Sequence, residues 1–376
     1  MASQTQTVPI DLDLDYLPHI PAKTDYGIGC IGAGFIMRDI HLLAYDAAGF
    51  NVVAIASRTP EHAGEVAEQR GIATVYDTWQ ELLDDERVEI LDIAFPPDQQ
   101  LGIVREAVKR PHIKGILAQK PIAMNYQEAK QIVDLAEEHG KVLGVNQNMR
   151  YDQSMRALKT LLEREVLGEP ILATVEMRAI PHWQPFLEDY DRLTLLNMSI
   201  HHLDIFRFLF GDPERVFCSA RTDPRTQFEH KDGITLYILE YAGGLRASGW
   251  DDVWTGPARE GSLSDIYIKW RVEGTDGLAW GTIGWPDYPS GSPSTINFTT
   301  KQQPGYWFVP RWEEVWFPDA FQGTMAQLMR AIQEGTEPEI SGKDNLKTMA
   351  LIDACYKSLE THCAERPADI MEGDSR

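Results

Sequence analysis

The chain has 376 residues, with 35 Lys and Arg against 57 Asp and Glu, so its formal charge at pH 7 is −22. Such an acidic chain is unsuited to nucleic acid or to an anionic membrane surface, because both are bound through clustered Lys and Arg side chains. No apolar run reaches the roughly 18 residues of a membrane span, and no secretory signal is visible at the N-terminus. At about 150 residues per domain, we expect a cytoplasmic protein of two domains that acts on a small molecule.

The first domain is predicted from alternating strand and helix patterns. Residues 1–25 carry little pattern and are predicted to form an arm that is mobile or contacts a partner. From residue 26 to 148, short and nearly continuous apolar strands alternate with helices, which is typical of a doubly wound parallel sheet covered on both faces. The predicted strands are Ile28–Ile31, Val52–Ala56, Ala73–Tyr76, Ile90–Phe95, Ile116–Ala118 and Val142–Val145, with clear helices at Glu61–Arg70 and Gln127–His139.

Residues 149–376 are predicted to form a second domain, α+β, with a large, mainly antiparallel open sheet. Nine of the ten tryptophans lie between residues 183 and 316. Alternation with period two predicts antiparallel strands, whereas the segment Gly281–Pro318, rich in Gly, Pro, Ser and Trp, is predicted to be long loops. The strands are Ile171–Ala179, Thr235–Tyr241 and Arg246–Trp250, and the helices are Gln153–Glu165, Met198–Phe210, Ala320–Glu334 and Asp344–Glu360. The last two helices are able to pack back on the first domain.

A phosphate-binding turn is predicted at Gly32-Ala33-Gly34, between the first strand and the helix that begins near Phe35. At such a turn, backbone N–H groups and the helix dipole meet the pyrophosphate of a dinucleotide. A literal G-x-G-x-x-G match at Gly27, Gly29 and Gly32 is a decoy, because its first two glycines fall in the strand. We therefore predict a Rossmann domain that binds NAD or NADP, with Gly32, Gly34, Phe35 and Ile36 at the phosphates.

The end of the second strand carries Ser57-Arg58 where an Asp or Glu commonly holds the ribose 2′-hydroxyl. Arg58 is able either to pair with a 2′-phosphate, which favours NADP, or to stack on adenine, which leaves NAD open. A solvated Arg at the start of a turn is a third interpretation. We predict that Ser57 and Arg58 line the adenosine end of the cofactor.

The chain resembles the Gfo/Idh/MocA oxidoreductases, a family that contains sugar and inositol dehydrogenases. The resemblance covers roughly residues 26 to 365 and rests on the order of several motifs. These are Gly32-Ala33-Gly34, Ala94-Phe95-Pro96-Pro97, Gln119-Lys120-Pro121, Asn197-Met198-Ser199-Ile200-His201 and the helix Asn345–Ser358. The resemblance implies further cofactor contacts from Phe95, Pro96, Gln119, Lys120 and Asn148.

The family pattern also implies a catalytic Lys, Asp and His, which correspond here to Lys120, Asn197 and His201. Gln119 and Asn197 depart from the usual Glu and Asp, and Asn197 is unable to accept a proton as a base. Neutral histidine suits that role, and so does a lysine whose pKa is lowered by desolvation. Asp204, on the same helical stripe as His201, is a candidate to orient it. The alternatives without a catalytic role are that His201 is a histidine packed in the core and that Lys120 is a surface lysine.

Substrate contacts are predicted for polar and aromatic side chains that suit a polyhydroxylated ligand: Lys120, Asn148, Arg150, His182, Trp183, Asn197 and His201. Arg150 in a salt bridge and Trp183 in the core are equally acceptable interpretations. No cluster of His, Asp or Glu has a convincing metal spacing, so no metal is predicted, and the four cysteines are expected to be reduced thiols.

The resemblance implies NAD(P)-dependent oxidation of a small sugar. The expected reaction converts the anomeric hydroxyl of an aldose, a pentose such as D-apiose, to a lactone. Oxidation of a secondary hydroxyl on a cyclitol or sugar acid is the alternative enzyme function, and a non-catalytic dinucleotide-binding sensor is the alternative from another class. Relatives associate through the open sheet, so we expect a homodimer or homotetramer.

Overall fold

The computed structural model describes residues 6–8, 13–179, 185–226, 228–252, 266–284 and 292–373. It divides into two compact units, which are named here by their sheets. The Rossmann unit comprises Pro18–Asn148 and Phe317–Met349. The open-sheet unit comprises the described residues within Met1–Leu17, Met149–Trp316 and Ala350–Arg376.

The strands found among the described residues are β1 (Gln6–Val8), β2 (Ile28–Ile31), β3 (Val52–Ala56), β4 (Thr74–Tyr76), β5 (Ile90–Ile93), β6 (Gly115–Ala118), β7 (Val142–Val145), β8 (Pro170–Arg178), β9 (Arg215–Arg221), β10 (Ile234–Glu240), β11 (Arg246–Asp252), β12 (Tyr267–Gly274), β13 (Gly277–Ile283), β14 (Thr295–Thr300) and β15 (Tyr306–Phe308).

The α-helices of the same ranges are α1 (Leu42–Ala48), α2 (Pro60–Arg70), α3 (Trp79–Leu83), α4 (Pro97–Ala107), α5 (Tyr126–Glu138), α6 (Gln153–Glu163), α7 (Ile200–Phe210), α8 (Ala320–Glu334), α9 (Gly342–Thr361) and α10 (Pro367–Glu372). Two π-helical turns, Met37–His41 and Leu195–Ser199, lead directly into α1 and α7. Short 3₁₀ turns are Asn148–Tyr151 and Pro185–Asp189.

The Rossmann unit contains a six-stranded, wholly parallel sheet in the order β4-β3-β2-β5-β6-β7. This order confirms the predicted doubly wound fold, and it places the switch in winding direction between β2 and β5, where dinucleotides bind. Strands β2, β5 and β6 are buried along their whole length, which explains their continuous apolar sequence. Helix α8 packs against β6 and β7, so a segment from late in the chain completes this unit.

The open-sheet unit contains a nine-stranded mixed sheet in the order β1-β15-β14-β13-β12-β8-β11-β10-β9. Pairing is antiparallel except between β8 and β11 and between β1 and β15, which confirms a mainly antiparallel sheet. Burial alternates along β9, β10 and β12, so one face lies in the core while the other is exposed. Helix α6 packs against β13 and β14 on the covered face.

The prediction of long loops over Gly281–Pro318 is wrong in part, because β14 and β15 lie within it. Both strands are short and neighbour Gly, Pro and Ser, which hid their periodicity. Part of the N-terminal arm is also held by this sheet: β1 pairs in parallel with β15, and Oγ1 of Thr160 donates to the carbonyl of Leu14 at 2.7 Å.

In the portion of the chain that the structure describes, no helix is both long and apolar enough to cross a bilayer. Cys30, Cys218, Cys355 and Cys363 are all free thiols, and the first three are buried.

Candidate active site

The turn after β2 needs glycine for two different reasons. Gly32 has a φ of +118°, and a Cβ there would lie 2.7 Å from the carbonyl oxygen of Ala94, so another residue would clash. Gly34 is exposed, and a Cβ there would meet no atom within 4 Å, so no protein neighbour requires it. The open space at Gly34, beside a helix that begins at Phe35, fits the approach of a pyrophosphate to backbone N–H groups.

The first two glycines of the literal G-x-G-x-x-G match, Gly27 and Gly29, are required by packing around β2. A Cβ on Gly29 would approach the side chains of Val88 and Leu82 within 2.9 Å, and one on Gly27 would overlap the carbonyl of Arg87. Both glycines therefore let neighbouring elements pack against β2, and neither lies at the turn.

The adenosine end of the predicted site is defined by Arg58 and Phe95. Arg58 is exposed just beyond β3, and its guanidinium carbon lies 5.7 Å from the centroid of the Phe95 ring. Phe95 and Pro96 follow β5, the strand on the other side of β2. A planar cation beside an aromatic ring suits a flat base, and the two residues directly after β3, Ser57 and Arg58, provide no carboxylate for a ribose 2′-hydroxyl.

Lys120 lies at the carboxyl end of β6, where ligands of open α/β sheets bind. Its peptide bond to Pro121 is cis, its side chain is half-buried, and burial lowers the pKa of its ammonium to about 7. The backbone of this turn is held by Gln100, whose amide donates to the carbonyls of Gln119 and Pro121, both at 2.9 Å, and accepts from the N–H of Gln119. A lysine with this pKa is able to exchange a proton near neutral pH.

Gln119, a predicted cofactor contact, has both ends of its side chain engaged inside the Rossmann unit. Its Oε1 accepts from the backbone N–H of Lys120 at 3.0 Å, and its Nε2 lies 3.2 Å from Nε2 of His41. Asn148 is buried after β7 and donates from Nδ2 to the carbonyl of Asn146 at 3.2 Å. These contacts fix both amides close to the carboxyl edge of the parallel sheet.

Asn197 and His201 lie on adjoining helical segments of the open-sheet unit. Asn197 is in the π-helical turn, His201 is in the first turn of α7, and both are buried. π-turns inside α-helices are frequently found at functional sites. The ring of His201 meets Trp316 edge to face, with centroids 5.6 Å apart.

The segment before this helix is anchored by Asp232. Its carboxylate accepts from the backbone N–H groups of Leu193 at 2.8 Å and Leu195 at 2.7 Å, and from the hydroxyl of Tyr356 at 2.9 Å. Burial raises the pKa of Asp232 to about 6. Neither Asp232 nor Trp316 belongs to a local motif, so neither is predicted from the sequence.

Arg150 and Asp204 form a buried ion pair. Nε of Arg150 donates to Oδ2 of Asp204 at 2.6 Å, and Nη2 donates to Oδ1 at 2.7 Å. Both oxygens of Asp204 accept from Arg150, so this carboxylate holds Arg150, while its orientation of His201 stays a prediction. The pair is the salt bridge that one interpretation of Arg150 predicted.

His202, the neighbour of His201, has a different environment. Its Nδ1 lies 2.9 Å from Oδ1 of Asp251, whose other oxygen accepts from the hydroxyl of Ser199. All three side chains are fully buried, which identifies a packing role for His202.

The predicted residues thus separate by unit. The Rossmann unit gathers the predicted cofactor residues at the carboxyl ends of its strands, and the open-sheet unit carries Arg150, Asn197 and His201. His182 and Trp183 lie outside the described residues. Within the described ranges, no three His, Cys, Asp or Glu side chains are grouped to hold a metal ion.

The Gly32–Gly34 turn lies at the switch point of a doubly wound sheet, and Lys120 follows β6 at the same carboxyl edge, an arrangement typical of dinucleotide-binding domains. A family model described as oxidoreductase family, NAD-binding Rossmann fold, matches residues 26–147, and the C-terminal domain model of the same family matches residues 155–279. The chain belongs to the Gfo/Idh/MocA oxidoreductase family, and it is an NAD(P)-dependent enzyme of that family.

Similar proteins include two dehydrogenases matched over most of their length. D-apiose dehydrogenase from Paraburkholderia graminis is 28% identical over 338 residues, covering 87% of this chain and 86% of that protein. Inositol 2-dehydrogenase from Burkholderia cenocepacia is 28% identical over 358 residues, covering 91% and 98%. A solved structure of levoglucosan dehydrogenase with NADH and L-sorbose superposes with a TM-score of 0.78 at 19% identity, covering 92% of this chain and 100% of that one.

Proposed function

We propose that this protein oxidises the anomeric hydroxyl of a small aldose to a lactone, with NAD or NADP as hydride acceptor, and that D-apiose is its substrate. The observation that carries the proposal is the position of Lys120, on the same sheet edge as the Gly32–Gly34 turn, with a pKa near neutrality. The similarity to D-apiose dehydrogenase over most of both chains supports the choice of sugar.

The Rossmann unit would hold the cofactor through its backbone. N–H groups at Gly34, Phe35 and Ile36 would bind the pyrophosphate, because the first N–H groups of a helix have no carbonyl in a preceding turn. Arg58 and Phe95 would contact the adenine, and the residues after β5 and β6 would border the nicotinamide. When bound, the nicotinamide supplies the acceptor for a hydride from the sugar carbon.

Proton removal is assigned to Lys120. At neutral pH a large share of its side chains is unprotonated, so the amine is able to take the hydroxyl proton while the C–H bond breaks and the C=O bond forms. His201 is proposed to hydrogen-bond the reacting sugar and to share its proton, and Asn197 and Asn148 to bind hydroxyls. Arg150 contributes through its pair with Asp204, which holds the start of the open-sheet unit to α7.

The sugar itself suits the electrostatics of the chain. A net charge of −22 disfavours a phosphorylated substrate, whereas a neutral sugar meets no such repulsion. The phosphates of the cofactor are still accommodated, because backbone groups at one turn bind them locally.

A second candidate function is oxidation of a secondary hydroxyl on a cyclitol, which is supported by the similarity to inositol 2-dehydrogenase. Lys120 and His201 would serve that reaction equally well. Turnover measured across aldoses and cyclitols with each cofactor separates the two functions.

We further propose that the exposed face of the open sheet binds a second copy of the chain. Phe217, Leu236 and Ile238 project from neighbouring positions of β9 and β10, and Leu236 and Ile238 are about half exposed. Trp250 on β11 stands beside Leu236 on the same face. A contiguous apolar patch of this kind favours association between folded proteins.

A further inference from the structure

A buried polar cluster in the Rossmann unit connects the helix after the phosphate-binding turn to the turn that carries Lys120. Its centre is His41, the last residue of the π-helical segment, which is fully buried. Nδ1 of His41 lies 2.8 Å from Oδ2 of Asp92 on β5, and the hydroxyl of Tyr45 donates to the same oxygen at 2.7 Å. The imidazole is therefore anchored to the middle of the sheet.

The other nitrogen of His41 meets two side-chain amides. Nδ2 of Asn146 lies 2.9 Å from Nε2 of His41, and Nε2 of Gln119 lies 3.2 Å from it. An amide nitrogen is only a donor, so Nε2 of His41 is the acceptor and its Nδ1 carries the proton given to Asp92. The contacts of the two ring nitrogens therefore select one tautomer of His41.

The contacts continue to the predicted base. Oε1 of Gln119 accepts from the backbone N–H of Lys120 at 3.0 Å, so the amide held by His41 also holds the lysine's main chain. Gln100 donates to the carbonyls of Gln119 and Pro121, the residues on either side of Lys120. Neither of these hydrogen bonds involves His41. His41 is thus two hydrogen bonds away from the backbone of Lys120.

We propose that His41 is a positioning residue for Lys120, acting through the side-chain amide of Gln119. By presenting an acceptor at Nε2, it keeps the Gln119 amide in the one orientation that offers Oε1 to Lys120. The inference rests on the proposed function in so far as Lys120 is taken to be the base. A misplacement of about 1 Å at a reacting group is enough to cost up to about a hundredfold in rate.

Two substitutions of His41 test the roles of its two ring nitrogens separately. His41→Gln places an amide oxygen near the position of Nε2, and His41→Asn places an amide nitrogen near the position of Nδ1. We expect His41→Asn to lower kcat by about tenfold or more while KM for the cofactor changes by less than about threefold. His41→Gln should retain kcat within about threefold, because the acceptor for Gln119 is restored.

Tyr76→Phe is the matched control, because it removes a hydroxyl donor to a carboxylate of the same unit, Asp85, without touching the hydrogen bonds of His41 or Gln119. It should lower Tm and leave kcat unchanged. Equal losses of kcat in the two His41 variants, or unchanged kcat in both, would overturn the proposal, since a structural role makes no distinction between the two nitrogens.

A second readout does not require turnover, so it still decides the matter if no sugar is oxidised and the proposed function fails. Amine acetylation of the full-length protein across pH, followed by mass spectrometry, gives the titration midpoint of Lys120. The midpoint should be near 7 in the wild type and in His41→Gln, and should rise toward that of an ordinary lysine in His41→Asn. Gln119→Met breaks the same connection without altering His41, and should raise the midpoint even if His41→Asn does not fold. An unchanged midpoint in every folded variant would refute the positioning role.

Discussion

The guanidinium of Arg150 and the carboxylate of Asp204, 54 residues apart in the chain, form a two-point ion pair inside the open-sheet unit, with donor–acceptor distances of 2.6 and 2.7 Å. Arg207 also places Nη1 3.9 Å from Oδ1 of Asp204. The carboxylate of Asp204 therefore lies beside two buried cations of the open-sheet unit.

Removing that carboxylate should be strongly destabilising. Asp204→Ala leaves the buried Arg150 charge without its partner, which typically costs about 3–5 kcal/mol in the free energy of unfolding. The double variant Arg150→Met, Asp204→Leu should recover most of the loss, because Arg150 no longer carries a charge and Arg207 keeps its pair with Asp212. Urea denaturation measures both. A loss below about 1 kcal/mol for Asp204→Ala would show that solvent reaches the pair.

The pH dependence of kcat/KM should follow Lys120. Its pKa is lowered to about 7 by burial, and the base form is the unprotonated one, so the rate should rise as pH increases through 7 and level off above it. Lys120→Met should lower the rate at least about a hundredfold and remove the rise. Lys120→Arg should be as inactive, because a guanidinium stays protonated. A full rise in Lys120→Met would assign the titration to another group.

His201 and His202 offer a direct comparison between adjacent histidines. His201→Ala should lower kcat at least about a hundredfold with cofactor affinity retained, which is the usual scale for an acid–base group. His202→Gln should lower Tm, because His202 packs against Asp251, but should leave kcat within about threefold. Steady-state kinetics and thermal unfolding of both variants make the test. Near-full activity in His201→Ala would reject its catalytic role.

Arg58 should govern the adenosine end of the cofactor. If Arg58 stacks on adenine beside Phe95, Arg58→Ala should weaken the binding of NAD and the binding of NADP by similar factors. If Arg58 pairs with the 2′-phosphate, the affinity for NADP should fall by at least about tenfold more than the affinity for NAD. Fluorescence titration with both reduced cofactors distinguishes the two, and unchanged affinity for both would remove Arg58 from the site.

The oligomeric state should depend on the open face of the sheet. Leu236→Glu introduces a charge into the patch formed with Phe217 and Ile238, so it should convert the assembly to monomers in light scattering after size exclusion. Leu43→Glu, at an exposed apolar position of the Rossmann unit, should leave the mass unchanged. An unaltered mass in Leu236→Glu would place the interface elsewhere.

Local chemistry made much of the Rossmann unit predictable. The strand patterns depend on neighbours in sequence. The same is true of the glycines that follow α2 and α5, Gly71 and Gly140, whose φ angles are +71° and +63°. The pairing of β14 and β15 was not predictable in this way, since it depends on strands whose own periodicity is interrupted by Gly and Pro.

The same division holds for the candidate site. Gly32, Lys120 and His201 stand in motifs, so they were found from the sequence. The partners of Arg150 and His41 come from 54 and up to 105 residues away, and no local pattern reports such contacts. The two π-helical turns are not predicted from the sequence either, because no residue pattern distinguishes a single π-turn from the α-helix that it joins.

The most direct test of the proposed function is absorbance at about 340 nm, where reduced nicotinamide absorbs, with a panel of aldoses and cyclitols and each cofactor in turn. We predict formation of the reduced cofactor with D-apiose, with the lactone as product, and loss of the signal in Lys120→Met. Turnover of cyclitols but of no aldose would favour the second candidate function, oxidation of a secondary hydroxyl on a cyclitol. Tight cofactor binding without turnover of any sugar would contradict the account and indicate a dinucleotide-binding sensor.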